Sequence, residues 1–145
     1  AALAAPGRLA AVGGPLSAYG LPLGEAFQLT DDLLGVFGDT ALTGKPVGED
    51  LREGKPTLLY ALARAAAAGP DLRLLDERFG APDLDAAEIA ALQHVIEASG
   101  AREQVAGIVD GLVDEALDAA ERLPLDALAV DALVELARFV AGRDH

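Results

Sequence analysis

Residues 16–37 read Leu-Ser-Ala-Tyr-Gly-Leu-Pro-Leu-Gly-Glu-Ala-Phe-Gln-Leu-Thr-Asp-Asp-Leu-Leu-Gly-Val-Phe. Laid on a helical wheel, the stretch is apolar on almost every side, the pattern of a helix enclosed by neighbours rather than one lying on a surface. Only Glu25, Asp31 and Asp32 interrupt it with charge, and no run reaches the ~18–20 uncharged residues that span a bilayer. The stretch therefore predicts an interior helix of a helical domain with no membrane span.

Composition extends that reading to the whole chain. The 145 residues include 31 Ala and 25 Leu against 6 aromatics, which favours helix over strand, because Ala and Leu lose little freedom in a helix while strands prefer β-branched and aromatic side chains. Pro15, Pro22, Gly38, the Gly44–Pro56 stretch, Gly69-Pro70, Gly80-Ala81-Pro82, Ser99-Gly100 and Pro124 cut the chain into helix-sized pieces. Helices are expected at about 2–12, 16–37, 56–68, 71–79, 85–98, 101–122 and 126–141. Leu92, Val95, Ile96 and Ser99 form one stripe at helical period, and Val105, Ile108, Val109, Leu112, Val113, Ala116 and Leu117 form another. The acids Asp110, Asp114, Glu115, Asp118 and Glu121 flank the second stripe and read as a solvated face. The expected fold class is all-α.

Charge and cysteine content remove several function classes. With no Cys and only His94 and His145, thiol nucleophiles, disulfide scaffolds and zinc or iron–sulfur clusters are excluded. A formal net charge of −13 disfavours nucleic acid and anionic lipid as partners. A hydrophobic fraction of 52% and a mean hydropathy of +0.29 fit a well-buried chain. The expectation is a soluble, cytoplasmic protein. The opening Ala-Ala-Leu-Ala-Ala-Pro has no initiator Met and no signal or transit pattern, so a missing N-terminal part is expected.

The chemistry concentrates between residues 25 and 57. Residues 39–55 form an expected loop of about 17 residues, longer than the ~12–15 that compact domains tolerate without a functional reason. It holds both lysines, Lys45 and Lys55, each in a Gly-Lys-Pro unit, with Arg52 between them. In an acidic chain that distribution predicts an anion site. On the preceding helix Asp31 and Asp32 are expected inside the core, where carboxylates are expensive unless met by cations or hydrogen bonds. Gln28, Asp32, Gly35 and Asp39 fall at i, i+4, i+7 and i+11, a polar stripe expected to face a cavity. Oxygen-only ligands suit Mg²⁺, which binds through one or two carboxylates plus substrate phosphates. An EF-hand laid over residues 39–50 fails because Ala41 stands at a ligand position and Asp50 replaces the bidentate Glu. A P-loop fails because Gly48 to Gly54 is one residue too long and Pro56 follows Lys55.

Phe27 to Asp39, followed by Thr43-Gly44-Lys45-Pro46, Gly48-Glu49-Asp50-Leu51 and Glu53-Gly54-Lys55-Pro56-Thr57, resembles the second aspartate-rich region of the trans-isoprenyl diphosphate synthases, the polyprenyl synthetases, and within them bacterial geranylgeranyl diphosphate synthase-like members. Ala18-Tyr19-Gly20 and Leu136-Ala137-Arg138-Phe139-Val140 are also similar to family sequence. The resemblance covers most of the chain and only the family's C-terminal half.

The resemblance implies that residues 1–145 are the C-terminal part of the isoprenoid synthase helical bundle, with the second aspartate-rich motif at 28–39 and a diphosphate loop at 39–56. It implies a Mg²⁺-dependent prenyltransferase that condenses an allylic diphosphate with isopentenyl diphosphate. Asp31 and Asp32 would hold Mg²⁺, Lys45 and Lys55 would contact the diphosphate, and Gln28 would line the cavity beside the reacting carbon. Gln28, Asp31 and Asp32 are thus the expected catalytic residues. The family pattern has a third Asp where this chain has Gly35, which removes one supporting carboxylate. The first aspartate-rich motif, the isopentenyl diphosphate grip and most of the dimer interface lie upstream in the family. The expected partners are therefore the protein's own N-terminal half or another synthase subunit, and the 145 residues alone are expected to be inactive. The alternative is a noncatalytic helical partner of a complete synthase.

Overall fold

A computed structural model describes residues 8–38 and 46–142. Among them are seven helices and no strand: α1 (Arg8–Phe37), α2 (Glu49–Glu53), α3 (Leu58–Ala66), α4 (Gly69–Arg78), α5 (Ala86–Ala98), α6 (Ala101–Glu121) and α7 (Ala127–Ala141). The expected all-α class is what is observed.

The helix ends follow local chemistry. The Thr57 side chain accepts from the Tyr60 N–H to start α3, and Asp126 does the same for Ala129 at the start of α7. Asp85 and Glu88 form a reciprocal capping box on α5, and such caps are each worth about 1 kcal/mol.

Two expectations are corrected. The break between helices at 2–12 and 16–37 is absent, since α1 runs through both Pro15 and Pro22. An internal proline costs about 3 kcal/mol in helix propensity, and tertiary packing of Val12, Tyr19, Leu23 and Ala26 on either side of the two prolines offsets it. The second correction concerns the 39–55 loop. Its later part folds into the helical turn α2, with Asp50 and Leu51 buried; residues 39–45, Lys45 among them, lie outside the described residues.

The chain divides into two compact units, with α1 and α6 each running from one into the other. In the unit made of the chain through Gln28 and from Ile108 onward, α6 buries Val109, Val113, Ala116 and Ala120 at helical spacing, and α7 buries Ala137 and Val140. Tyr19 Oη donates to the Leu133 carbonyl at 2.8 Å, joining α1 to α7. The expected acidic face of α6 is exposed throughout. In the Leu29–Gly107 unit, α5 packs on α3 and α4, and Leu33, Val36, Leu51, Leu59, Leu75, Leu92 and Ile96 form the core. Each such side chain contributes about 1.5–3 kcal/mol by leaving water. The C-terminal end of α1 is held there too. Gln93 Nε2 donates to the Val36 carbonyl at 2.6 Å, and the Arg102 guanidinium lies 4.5 Å over the Phe37 ring.

Within the described chain α1 is not enclosed on every side. Leu21 is 73% exposed and Phe27 46%, which corrects the expectation that this helix is interior on every side.

Candidate functional site

Three side chains of the Leu29–Gly107 unit meet beside the last turns of α1. Asp32 points into the protein and is only 7% exposed. The Lys55 ammonium, on the segment between α2 and α3, donates to Asp32 Oδ1 at 2.8 Å. The same ammonium lies 3.4 Å from Oδ2 of Asp50, also 7% exposed. That buried oxygen makes no well-formed hydrogen bond. One cation thus serves two buried carboxylates, which is the condition under which burying them is tolerable.

Electrostatics bear the marks of this sharing. Burial pushes the Asp50 carboxyl above the usual aspartate range, the Lys55 charge and hydrogen bond draw it back only in part, and the neighbouring charges of Asp32 and Glu53 push it up again. The hydrogen bond to Asp32 holds the Lys55 ammonium above the usual lysine range, against the opposing effect of burial.

Backbone geometry sets Lys55 in place. Gly54 and Gly80 both have positive φ, 64° and 79°, a region that costs other residues about 1–2 kcal/mol. The two pack backbone to backbone: a Cβ on Gly54 would come 2.9 Å from the Gly80 Cα. The Gly80 N–H donates to the Leu51 carbonyl at 2.8 Å, and the Lys55 N–H donates to the Asp50 carbonyl at 3.1 Å. Tyr60 and Phe79 stack at 3.6 Å between ring centroids beside this turn.

The predicted site residues divide accordingly. Asp32 and Lys55, far apart in sequence, are brought together. Asp31 is exposed, which corrects the expectation that both aspartates lie in the core: adjacent helical residues point about 100° apart, and Asp31 falls on the outward side of Asp32. Gln28 is likewise exposed, so the stripe from Gln28 to Asp32 spans two environments. Asp50 was missed as a site residue. What defines its place is the space beside Gly35, which its carboxylate fills.

Asp31, Asp32 and Asp50 offer carboxylate oxygens alone, one of them buried without a well-formed hydrogen bond, a donor chemistry that fits a hard divalent cation. Among the described residues no three His, Asp or Glu converge into a metal-holding group, so such a cation would depend on one or two carboxylates together with its water or phosphate oxygens.

The described residues thus bring a lysine shared between two buried carboxylates to the end of a long apolar helix. A profile of the polyprenyl synthetase family matches residues 2–97, and the chain belongs to that family. The (2E,6E)-farnesyl diphosphate synthase of Mycobacterium tuberculosis is 37% identical over 132 residues, covering 88% of this chain and 36% of the relative. Component 2 of the heptaprenyl diphosphate synthase of Geobacillus stearothermophilus is 35% identical, covering 88% of this chain and 38% of the relative. The geranylgeranyl pyrophosphate synthase of Corynebacterium glutamicum, solved with isoprenyl diphosphate and magnesium, superimposes with a TM-score of 0.85 at 38% identity, covering 90% of this chain and 37% of that one. The chain therefore spans less than two fifths of the length of these relatives. Among its described residues no helix is long and apolar enough to cross a membrane.

Proposed function

We propose that this chain supplies the second aspartate-rich site of a prenyl diphosphate synthase, and that the protein condenses an allylic diphosphate with isopentenyl diphosphate. The observation that supports this most directly is the buried Asp32–Lys55–Asp50 cluster lying inside the segment matched by the family. Asp31 and Asp32 would hold Mg²⁺, which when bound neutralises diphosphate charge and stabilises the departing oxygens. Lys55, together with Lys45, donates to the diphosphate and orients it. Apolar side chains of α1, Phe27 among them, keep water from the reacting carbon, since an allylic cation in contact with water is quenched. Gln28 stands one turn before Asp32 and lines the approach to that carbon. The test is steady-state turnover of the full-length protein with Asp31→Ala and Asp32→Ala, each expected to lose orders of magnitude.

A second reading, a noncatalytic helical subunit acting with a complete synthase, draws on the relative named as a component and on the exposed Leu21 and Phe27 of α1. Mg²⁺-dependent turnover that requires Asp31 and Asp32 of this chain excludes it.

A further inference from the structure

Within the Leu29–Gly107 unit, helix α2 is held at both ends by the corner where α4 passes into α5. A Cβ built on Gly48, its N-cap, would come 2.6 Å from Cγ2 of Ile89 in the first turn of α5. One built on Gly54, its C-cap, would come 2.9 Å from the Gly80 Cα, just past the end of α4. Both caps have positive φ, so glycine supplies the conformation and the close approach together. A turn of five residues has little stability of its own. Where its two supports stand therefore decides where it stands.

Lys55 follows Gly54 directly and inherits that placement. The Gly80 N–H donates to the Leu51 carbonyl at 2.8 Å, and Phe79 stacks on Tyr60 of α3. Phe79 and Gly80 thus touch the chain before, beside and after the lysine. The two supports of α2, Gly80 and Ile89, are in turn tied together by charge. Arg78 Nη2 donates to Glu88 Oε2 at 2.9 Å, and the buried Arg78 Nε lies 2.9 Å from Oε1, off the angle of a hydrogen bond. Asp83 Oδ1 accepts from the same Nη2 at 3.2 Å. A guanidinium meeting a carboxylate through two nitrogens fixes orientation as well as distance. The Arg78 side chain is 28% exposed and that of Glu88 34%, so water screens the pair and its worth lies in geometry more than in net stability.

We propose that Arg78 and Glu88 are positioning residues for Lys55: their bridge sets the span between Gly80 and Ile89, and through it the turn that aims the ammonium at a diphosphate. The inference rests on the diphosphate reading above. It extends the site to two residues that lie outside the aspartate-rich and lysine-bearing segments and that touch no ligand.

The experiment takes two readouts on the full-length protein. One is calorimetric titration with inorganic pyrophosphate and Mg²⁺; the other is labelling of Lys55 by an amine-reactive reagent without ligand, followed by peptide mass spectrometry. Circular dichroism confirms the fold of each variant. Glu88→Gln removes the charge but keeps the capping box, which Gln completes as Glu does. Arg78→Met keeps the stem and removes the guanidinium. Each is expected to weaken pyrophosphate binding about fivefold and to speed labelling of Lys55 about threefold, the scale on which a contact network modulates a site it does not touch. Combined, they should cost no more than the worse single variant, because both break one bridge. In a Lys55→Ala background neither should weaken binding further, whereas a general loss of stability would act there undiminished. Wild-type affinity in both variants, losses that multiply in the double variant, an undiminished effect without Lys55, or unchanged labelling overturns the proposal. A wild-type protein that binds no pyrophosphate with Mg²⁺ overturns the diphosphate reading beneath it, and the labelling rates then still decide whether the bridge places Lys55.

Discussion

Lys55 Nζ lies 2.8 Å from Asp32 Oδ1 and is the ammonium on which two buried carboxylates depend. A lysine in that position is a structural counter-ion before it is a ligand-binding group. Its replacement should therefore be felt even without substrate.

Lys55→Ala removes the ammonium that Asp32 and Asp50 share. Removing one partner of a fully buried pair costs about 3–5 kcal/mol, but the Lys55 side chain is 36% exposed, so solvent screening reduces the expected loss to about 1–2 kcal/mol. Chemical denaturation at neutral pH checks this. The same variant should bind inert diphosphate analogues more weakly by about 1.5–3 kcal/mol, and adding Asp50→Asn should recover part of the stability but none of the affinity. Unchanged stability would show that the carboxylates are neutralised by something other than Lys55.

Asp31 and Asp32 should separate in stability although both are expected to abolish turnover. Asp31 is exposed, so Asp31→Ala is expected to stay within about 0.5 kcal/mol of wild type. Asp32→Ala removes the hydrogen-bonded partner of Lys55 and should cost more, about 1–2 kcal/mol after the same screening. Thermal melts beside turnover measurements decide it, and equal stability losses in the two variants would contradict the difference in burial.

The glycine pair offers a coupled test. Gly54→Ala and Gly80→Ala each put a Cβ against the other's backbone, at 2.9 Å and 3.2 Å, on positive φ. Each should destabilise by more than the ~1–2 kcal/mol of the dihedral alone, with Gly54→Ala the worse. Because the two share one contact, the double variant should cost less than the sum of the singles. Strict additivity in denaturant melts would mean that the close approach contributes nothing.

How far this could be read beforehand differs between fold and site. The all-α class was legible because Ala and Leu dominate and because α5 and α6 repeat apolar residues at helical period, and Leu92, Ile96, Val105 and Val109 are indeed buried. The uninterrupted α1 was not, since Pro15 and Pro22 argue locally for breaks that only tertiary packing overrules. Asp32 and Lys55 were legible as an acid out of place in an apolar helix and a cation out of place in an acidic chain. Asp50 was not, because what defines it is the absence of a side chain at Gly35, a spatial fact that no spacing along the chain records.

Tyr19 gives a prediction with a pH sign. Its hydroxyl donates to the Leu133 carbonyl, and burial raises its pKa above the usual tyrosine value. A raised folded-state value means that this contribution is fully present below the unfolded pKa of about 10 and is lost as pH rises through the folded one. Tyr19→Phe should cost about 0.5–1.5 kcal/mol at neutral pH, and its deficit should shrink above pH ~10, where wild type pays to ionise the ring or keep it neutral. Melts of both proteins from neutral to alkaline pH test this, and a constant gap would show that the hydroxyl titrates as freely folded as unfolded.

The final prediction concerns the 145 residues as a unit. The chain spans 36% of the Mycobacterium tuberculosis relative and 37% of the Corynebacterium glutamicum structure, while Leu21 on α1 and Leu128 and Phe139 on α7 stand 73%, 80% and 64% exposed. Exposed large apolar side chains of this kind favour association. Purified alone, the 145-residue chain should self-associate with rising concentration in analytical ultracentrifugation and should form no prenyl diphosphate from radiolabelled isopentenyl diphosphate and an allylic diphosphate. Co-expressed with an N-terminal segment of a polyprenyl synthetase, it should gain Mg²⁺-dependent turnover that is lost again with Asp31→Ala. Turnover by the purified chain alone would show that one aspartate-rich site suffices, and the proposed division of the reaction between two such sites would then be wrong.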